Sequence, residues 1–324
     1  MYVLEFAGED DQFAAAEARA AATDVSVLAP GIGTASAVDR ERVTGLAFTR
    51  RVSELVGQTR DGGDGLVSIL EAAPVKRSGT VAVRARDVRG TAGIDTQAVE
   101  RQLGQSLVDR GFEVDLTDPE QTLSALFADD LAVLGWEVAT SDRGYGDRTP
   151  TDRPFFQPGS MDPLLARAVA NLARTEPGDR VLDPMCGTGG VLIEAGLLGG
   201  QPIGFDAQEK MVRGARTNLR AALGVSPHLA QGDGTALPLP DNSVDAVVFD
   251  APYGRQSKIA SHGLEELIQG AFQEAARVGT RAVVVADRGY DTLARAAGWT
   301  VTEKHQRRVH RSLTRHIHVL THEH

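Results

Sequence analysis

The chain has 324 residues, of which 42% are hydrophobic and 24% charged, a composition typical of a soluble globular protein with two or three domains. Its single cysteine, Cys186, excludes an intrachain disulfide framework and a cysteine-rich zinc site. The absence of a membrane-length apolar run or a basic-then-apolar leader predicts a cytoplasmic protein with no membrane partner. The net charge of −10 is an acidic excess that normally argues against nucleic-acid partners.

The first 62 residues alternate between strand and helix patterns. YVLEF, VSVLAP and VTGLAFTRRV predict strands, and AAAEARAAA, from Ala14, predicts a helix. A second helix, GLVSILEAAP, is expected after the break at Gly62 and Gly63. We place a first domain at residues 1–62.

Residues 63–140 predict a compact α+β unit. In TVAVRARDV, apolar residues alternate with arginines, which is typical of a half-buried strand with a basic face. The following helix is capped by Asp95 or Thr96 and places Val99, Leu103 and Leu107 on one face. FEVDL, LSALF and LAVLGWEV then predict three further strands.

The stretch over residues 141–160 is rich in glycine, proline and charge, and we predict an interdomain linker there. From residue 161 the pattern changes to a regular alternation of apolar strands and amphipathic helices. That alternation predicts an α/β fold over residues 161–324, with a doubly wound parallel sheet.

A glycine turn, VLDPMCGTGG, follows the first strand of this domain. Glycines there allow a ligand to approach the backbone at a helix N-terminus. The turn lacks the lysine of a P-loop, and Leu192 occupies the position of the third glycine in a dinucleotide fingerprint. S-adenosylmethionine is the remaining candidate, because its cationic groups suit an acid such as Asp183. A tight turn with only a structural role is the alternative.

Four aspartates end successive predicted strands of this domain. Asp183 is followed by Asp206, about 20 residues past the glycine turn, where doubly wound folds place an acid that binds ribose hydroxyls. Asp233 in QGDG could accept a bond from an adenine amine, and Asp250 ends the strand VVFD. Ligands bind at the carboxyl ends of strands in such sheets, so the four acids predict one site.

Both motifs also carry a family resemblance. Asp183-Pro-Met-Cys-Gly-Thr-Gly-Gly and Asp250-Ala-Pro-Tyr-Gly-Arg resemble motifs I and IV of S-adenosylmethionine-dependent methyltransferases that act on exocyclic amines. RPFFQPGSMDPLLAR and RRVHRSLTRHIHVL are similar to segments of the archaeal tRNA (guanine-10-N2)-methyltransferases. The unit ending in LGWEVATS resembles their THUMP RNA-binding domain, and residues 1–62 match as a ferredoxin-like domain.

The resemblance implies a Rossmann-like methyltransferase domain at the C-terminus, preceded by the ferredoxin-like and THUMP domains. It further implies S-adenosyl-L-methionine as cofactor and tRNA as partner. We also expect no metal and a monomeric enzyme. The implied cofactor-binding residues are Asp183, Pro184, Cys186, Gly187, Gly189, Asp206, Ala207, Asp233 and Gly234. The implied catalytic residues are Asp250, Ala251, Pro252 and Tyr253, and the candidate RNA-binding residues are Arg84, Arg86, Arg89, Arg255 and Arg311.

The predicted chemistry centres on the turn DAPY. An aromatic exocyclic amine is a poor nucleophile, so Asp250 and the Ala251 carbonyl would each accept one of its N–H groups, while Tyr253 would stack on the extruded base. The family pattern has proline where this chain has Ala251. Only the carbonyl is needed for the hydrogen bond, so we expect the chemistry to survive with a less rigid turn.

Alternatives follow from the same residues. Another nucleic-acid amine, in tRNA or DNA, could be the acceptor, or the chain could be an inactive RNA-binding protein. Cys186 could act as a covalent nucleophile, and the C-terminal histidines could bind metal, although a basic face for RNA fits their spacing better. Arginine supplies nearly all positive charge and suits phosphate contacts, and the acid-rich, lysine-poor composition would suit a halophilic protein.

Overall fold

A computed structural model describes residues 1–74, 76–252, 261–311 and 313–322, apart from the side chains of Ser261, His262 and His310. The chain divides into two compact units, Met1–Asp142 and Arg143–His324. The finer limits 1–62, 63–140, 141–160 and 161–324 stay predictions. In the described part of the chain, every helix is too short or too polar to pass through a bilayer.

The N-terminal unit is built on one large sheet with the strand order β3-β4-β1-β6-β10-β9-β7-β8. Its strands are β1 (Tyr2–Phe6), β2 (Ala22–Thr23), β3 (Ser26–Ala29), β4 (Ile32–Ala35), β5 (Ala37–Val38), β6 (Thr49–Thr59), β7 (Thr80–Asp87), β8 (Glu113–Val114), β9 (Gln121–Ala128) and β10 (Leu131–Thr140). Its helices are α1 (Asp11–Ala18), α2 (Arg40–Val43), α3 (Gly62–Ala72) and α4 (Thr96–Val108). Strands β2 and β5 form a separate pair.

Local chemistry explains these helices. The carboxylate of Asp95 accepts the N–H of Ala98 and caps α4, which buries Val99, Leu103 and Leu107 as predicted. One prediction is wrong: the first residues of VTGLAFTRRV do not form a strand. Asp39 caps the short helix α2 there, and the buried carboxylate of Glu17 accepts the next N–H groups, so β6 begins only at Thr49.

The C-terminal unit contains the predicted doubly wound sheet, with the strand order β13-β12-β11-β14-β15-β17-β16. Its strands are β11 (Arg180–Asp183), β12 (Gln201–Asp206), β13 (His228–Gln231), β14 (Ala246–Asp250), β15 (Arg281–Ala286), β16 (Thr300–His310) and β17 (Leu313–Thr321). Its helices are α5 (Pro163–Leu172), α6 (Gly190–Leu197), α7 (Glu209–Leu223), α8 (Ser261–Val278) and α9 (Asp291–Ala296). Strands β11 to β15 pair in parallel, whereas β17 runs antiparallel to β15 and β16.

This topology brings the predicted acids to one edge of the sheet. Asp183, Asp206 and Asp250 are the last residues of β11, β12 and β14, and Asp233 lies two residues beyond β13. Because these strands are parallel, their carboxyl ends face the same side of the domain. The α/β prediction for this half of the chain is confirmed.

Candidate active site

A cavity of about 210 Å³ opens at the carboxyl ends of β11 and β14. Four stretches form its walls: the turn after β11 with the start of α6, the end of β14, Met211 on α7, and the segment Gln157–Met161 that precedes α5. The cavity therefore lies at the edge of the sheet where the sequence predicted a ligand.

The glycine turn is shaped for close approach of a ligand. Gly187 and Gly189 have φ angles of 51° and 79°, in the left-handed region that favours glycine. A Cβ at Gly189 would lie 2.4 Å from Leu219, whereas a Cβ at Gly187 would meet open space. The Gly187 N–H donates to Asp206 Oδ2 at 3.0 Å, so the acid ending β12 fixes the turn that follows β11.

Asp183 is the buried acid of the site. It is 3% exposed and accepts the Met185 N–H at 3.0 Å. Burial raises the pKa of this carboxyl well above its usual value, and the negative charges of Asp206 and Asp250 raise it further. Asp183 and Asp250 both line the cavity, and Asp206 lies close enough for its charge to act on Asp183, so the acidic surroundings suit a cationic ligand.

Asp250 faces the cavity together with Ala251 and Pro252. Its Oδ2 lies 3.5 Å from Nη2 of Arg315, a buried residue of β17. The Ala251 N–H donates to the Val285 carbonyl at 2.7 Å. Tyr253 and Arg255, which the sequence placed in the same site, lie outside the described residues.

The segment Gln157–Met161 was missed as part of the site, because its composition predicted a linker. Ser160 Oγ lies 3.0 Å from Thr188 Oγ1 in the glycine turn. Upstream, the buried amide of Asn218 on α7 accepts the Phe155 N–H and donates to the carbonyls of Phe155 and Thr188. These hydrogen bonds hold the segment before α5 against the glycine turn. The sequence signal was the resemblance of RPFFQPGSMDPLLAR to the segment before the catalytic domain.

Other predicted cofactor residues lie beside the cavity rather than on its described walls. This group consists of Pro184, Gly189, Asp206, Ala207, Asp233 and Gly234. Gly234 approaches the Pro184 carbonyl, where an added Cβ would be 3.0 Å from the oxygen. Asp233 is exposed, and hydrogen bonds from the backbone and hydroxyl of Thr235 lower the pKa of its carboxyl.

Cys186 is buried at 5% exposure within the turn. Burial raises the pKa of its thiol well above the usual value, and the nearby Asp183 and Asp206 raise it further. A thiol in such surroundings stays protonated at neutral pH, which is the opposite of what a covalent nucleophile needs.

Three of the arginines predicted to bind RNA, Arg84, Arg86 and Arg89, have partners inside the N-terminal unit. Arg84 donates to the Leu116 carbonyl at 2.7 Å, and Arg86 lies 3.3 Å from the buried carboxylate of Glu5. Arg89 contacts Asp11 and the Gly8 carbonyl. Arg311 is exposed at the turn between β16 and β17. Within the described residues, no cluster of histidine, cysteine and acidic side chains is arranged to hold a metal ion.

Comparisons with known proteins identify relatives of this chain. The family model of the RMKL-like methyltransferase domain matches residues 150–317. The tRNA (guanine(10)-N2)-dimethyltransferase of Methanothermobacter thermautotrophicus is 35% identical over 313 residues, covering 92% of this chain and 91% of the relative. The chain belongs to this dimethyltransferase family. Its relative of the same name from Pyrococcus abyssi is 30% identical over 249 residues, 75% of this chain and 74% of that protein.

The resemblance inferred from the motifs is therefore confirmed, and the C-terminal unit of this family member carries the methyltransferase domain. Among solved structures, TrmN from Thermus thermophilus matches with a TM-score of 0.51 and 23% identity, covering 100% of both chains. At that identity the match supports the fold and nothing further.

Proposed function

We propose that this chain transfers methyl groups from S-adenosyl-L-methionine to the exocyclic N2 amine of guanine 10 in tRNA, adding one or two. The observation that carries the proposal is the position of Asp250. It ends β14 and faces the same cavity as Asp183 and the glycine turn. The family relatives are named for this activity.

The residues present fit the cofactor. Gly187 leaves open space on the cavity side of the turn, and the carboxyl group of Asp183 lines the cavity beside it, an acid that suits the cofactor's cationic groups. Asp206 would bind the ribose, Asp233 the adenine amine, and Gly187 the methionine portion. When bound, S-adenosyl-L-methionine supplies an electrophilic methyl group.

Asp250 prepares the substrate amine. A carboxylate is an acceptor-only group, so it takes an N–H of the guanine amine and directs the nitrogen lone pair into the cavity. The Ala251 carbonyl accepts the second N–H and Tyr253 stacks on the base. Most of the rate enhancement then comes from positioning. As the new bond forms, Asp250 is the nearest base for the departing proton.

Recognition of tRNA falls to surfaces outside the cavity. We propose that residues 63–140 act as a THUMP domain and that Arg311 contacts phosphates near the site; Arg84, Arg86, Arg89 and Arg255 are the further candidates. Phosphate contacts of this kind position the nucleic acid without reading its sequence. We further propose a cytoplasmic, monomeric archaeal enzyme adapted to high salt and working without metal.

Methyl transfer from tritiated cofactor into unmodified tRNA transcripts tests the proposal. Nucleoside analysis should recover N2-methylguanosine and N2,N2-dimethylguanosine, and a transcript with adenine at position 10 should accept no label. Methyl groups on a ring carbon, on ribose, or only on DNA would overturn the assignment. Absence of any transfer over a range of salt concentrations would favour the inactive RNA-binding alternative.

A further inference from the structure

Arg315 is a buried cation beside Asp250 of the proposed active site. It lies on β17 and is 4% exposed, although arginine is rarely buried without a partner. His316 pairs with Ala286 at the end of β15, so Arg315 is the first residue of β17 beyond that pairing. From there its side chain reaches over the carboxyl edge of the sheet.

The guanidinium contacts two residues that line the cavity. Its Nη2 lies 3.5 Å from Asp250 Oδ2 at the end of β14 and 3.5 Å from the Gly159 carbonyl. Gly159 belongs to the Gln157–Met161 wall. One guanidinium nitrogen thus lies between the carboxylate that would hold the amine and the Gln157–Met161 wall.

The carboxyl groups near Asp250 give a cation beside it an electrostatic role. The negative charges of Asp206 and Asp250 both act on the buried Asp183 and raise its pKa. Like charges at close range favour protonation of one member of the group. A protonated Asp250 would present a hydroxyl to the substrate and could not serve as an acceptor on both oxygens.

We propose that Arg315 is a positioning residue for methyl transfer: its guanidinium balances the charge of Asp250 and fixes the carboxylate against the Gly159 wall. The inference rests on the proposed role of Asp250 and deepens it. Arg308 and Arg311 lie on the same hairpin but are exposed, whereas Arg315 is buried.

Two substitutions at this position separate charge from geometry. Arg315→Gln removes the charge, so we expect kcat to fall about 10- to 100-fold. The acid limb of the kcat–pH profile should move upward by about 1–3 pH units. Arg315→Lys keeps the charge but removes Nη2, which makes both contacts, so kcat should fall while the acid limb stays near the wild-type position. The control is Arg295→Gln, which removes one arginine from an exposed position on α9.

A second readout does not depend on tRNA. In protein labelled with ¹³C at aspartate carboxyl groups, the Asp250 signal, assigned by its loss in Asp250→Asn, should titrate at higher pH in Arg315→Gln than in the wild type. If the wild type transfers no methyl group, the proposed function fails while this comparison still decides the role of Arg315. Should Arg315→Gln fail to fold, the same titration is made with Asp183→Asn added to relieve the unbalanced charge.

The inference is overturned if folded Arg315→Gln keeps wild-type kcat. It is equally overturned if kcat falls without movement of the acid limb and of the Asp250 carboxyl signal, because that result describes a purely structural residue.

Discussion

The backbone N–H of Ala251 donates a 2.7 Å hydrogen bond to the carbonyl of Val285. Asp250 pairs with Val285 in the parallel register of β14 and β15, so this bond carries the ladder past the last residue of β14. Proline has no N–H and cannot make it. The alanine that departs from the family pattern therefore anchors the turn by a hydrogen bond instead of by a fixed φ angle.

Replacing Ala251 by proline should consequently destabilise this chain. Ala251 and Val285 are 2% and 0% exposed, so the substitution leaves a buried carbonyl without its donor. We expect the free energy of unfolding to fall by about 1–3 kcal/mol, measured by urea denaturation, with methyl transfer retained because the carbonyl of residue 251 persists. A variant as stable as the wild type would show that the bond contributes nothing.

The sequence predicted the C-terminal unit well because its signals are local. Apolar strands, glycine turns and terminal acids repeat at regular intervals, and parallel pairing then brings Asp183, Asp206 and Asp250 to one edge. In the N-terminal unit, VTGLAFTRRV has strand composition, yet its first half forms the end of α2 and a loop. The cause is the Glu17 carboxylate, which binds Ala47 and Phe48 across about 30 positions of chain.

Site residues were missed where their function depends on distant partners. Arg315 meets Asp250 across 65 positions, and its strand pattern alone indicates only a basic face. The Gln157–Met161 segment has the glycine and proline content of a linker, and its place in the cavity depends on Asn218 and Thr188. Local composition does not reveal Asn218 or Thr188 as partners, because hydrogen bonds between side chains far apart in the sequence leave no periodic pattern.

Asp183→Asn should stabilise the ligand-free protein and weaken cofactor binding. Burial raises the folded-state pKa of Asp183, so its contribution to stability is full below the unfolded pKa and is lost as the pH rises towards the folded value. Each pH unit between the folded and unfolded pKa of the group corresponds to about 1.4 kcal/mol of folding free energy. The Tm advantage of Asp183→Asn over wild type should therefore grow from acid to neutral pH.

Asp233→Asn is the matched control for that measurement. Hydrogen bonds from Thr235 lower the pKa of Asp233 in the folded protein. The contribution of Asp233 to folding stability is therefore present above the pKa that this group has in the unfolded chain, and it is lost on acidification. The control should bring no gain in Tm at neutral pH. Titration calorimetry should show cofactor affinity about 10-fold or more lower in Asp183→Asn, since a hydrogen bond to a charged group contributes about 1.5–3 kcal/mol. Equal Tm curves for wild type and Asp183→Asn would contradict the buried-charge assignment.

Cys186→Ala should keep methyl transfer at the wild-type order of magnitude. The thiol is buried and its raised pKa keeps it protonated, so it cannot form the covalent intermediate used in ring-carbon methylation. Transfer rates and denaturing gels of enzyme mixed with labelled tRNA check this. A loss of about 10²-fold or more in kcat, or a protein–RNA adduct that survives denaturation, would restore the nucleophile hypothesis.

Asp250→Asn should nearly abolish methyl transfer while leaving the fold and both ligands' binding intact. The amide is the same size as the carboxylate, but its NH₂ is a donor facing the substrate amine, so orientation and proton acceptance are lost together. We expect the rate constant of methyl transfer in single-turnover assays to fall about 10²- to 10⁴-fold. Gel shift should show unchanged tRNA binding, and cofactor binding should be retained. Asp245→Asn is the control, because Asp245 directly precedes the opposite end of β14 and accepts the Arg180 N–H there. If Asp250→Asn turned over like Asp245→Asn, the amine would have to be held by another group, and the DAPY turn would lose its proposed role.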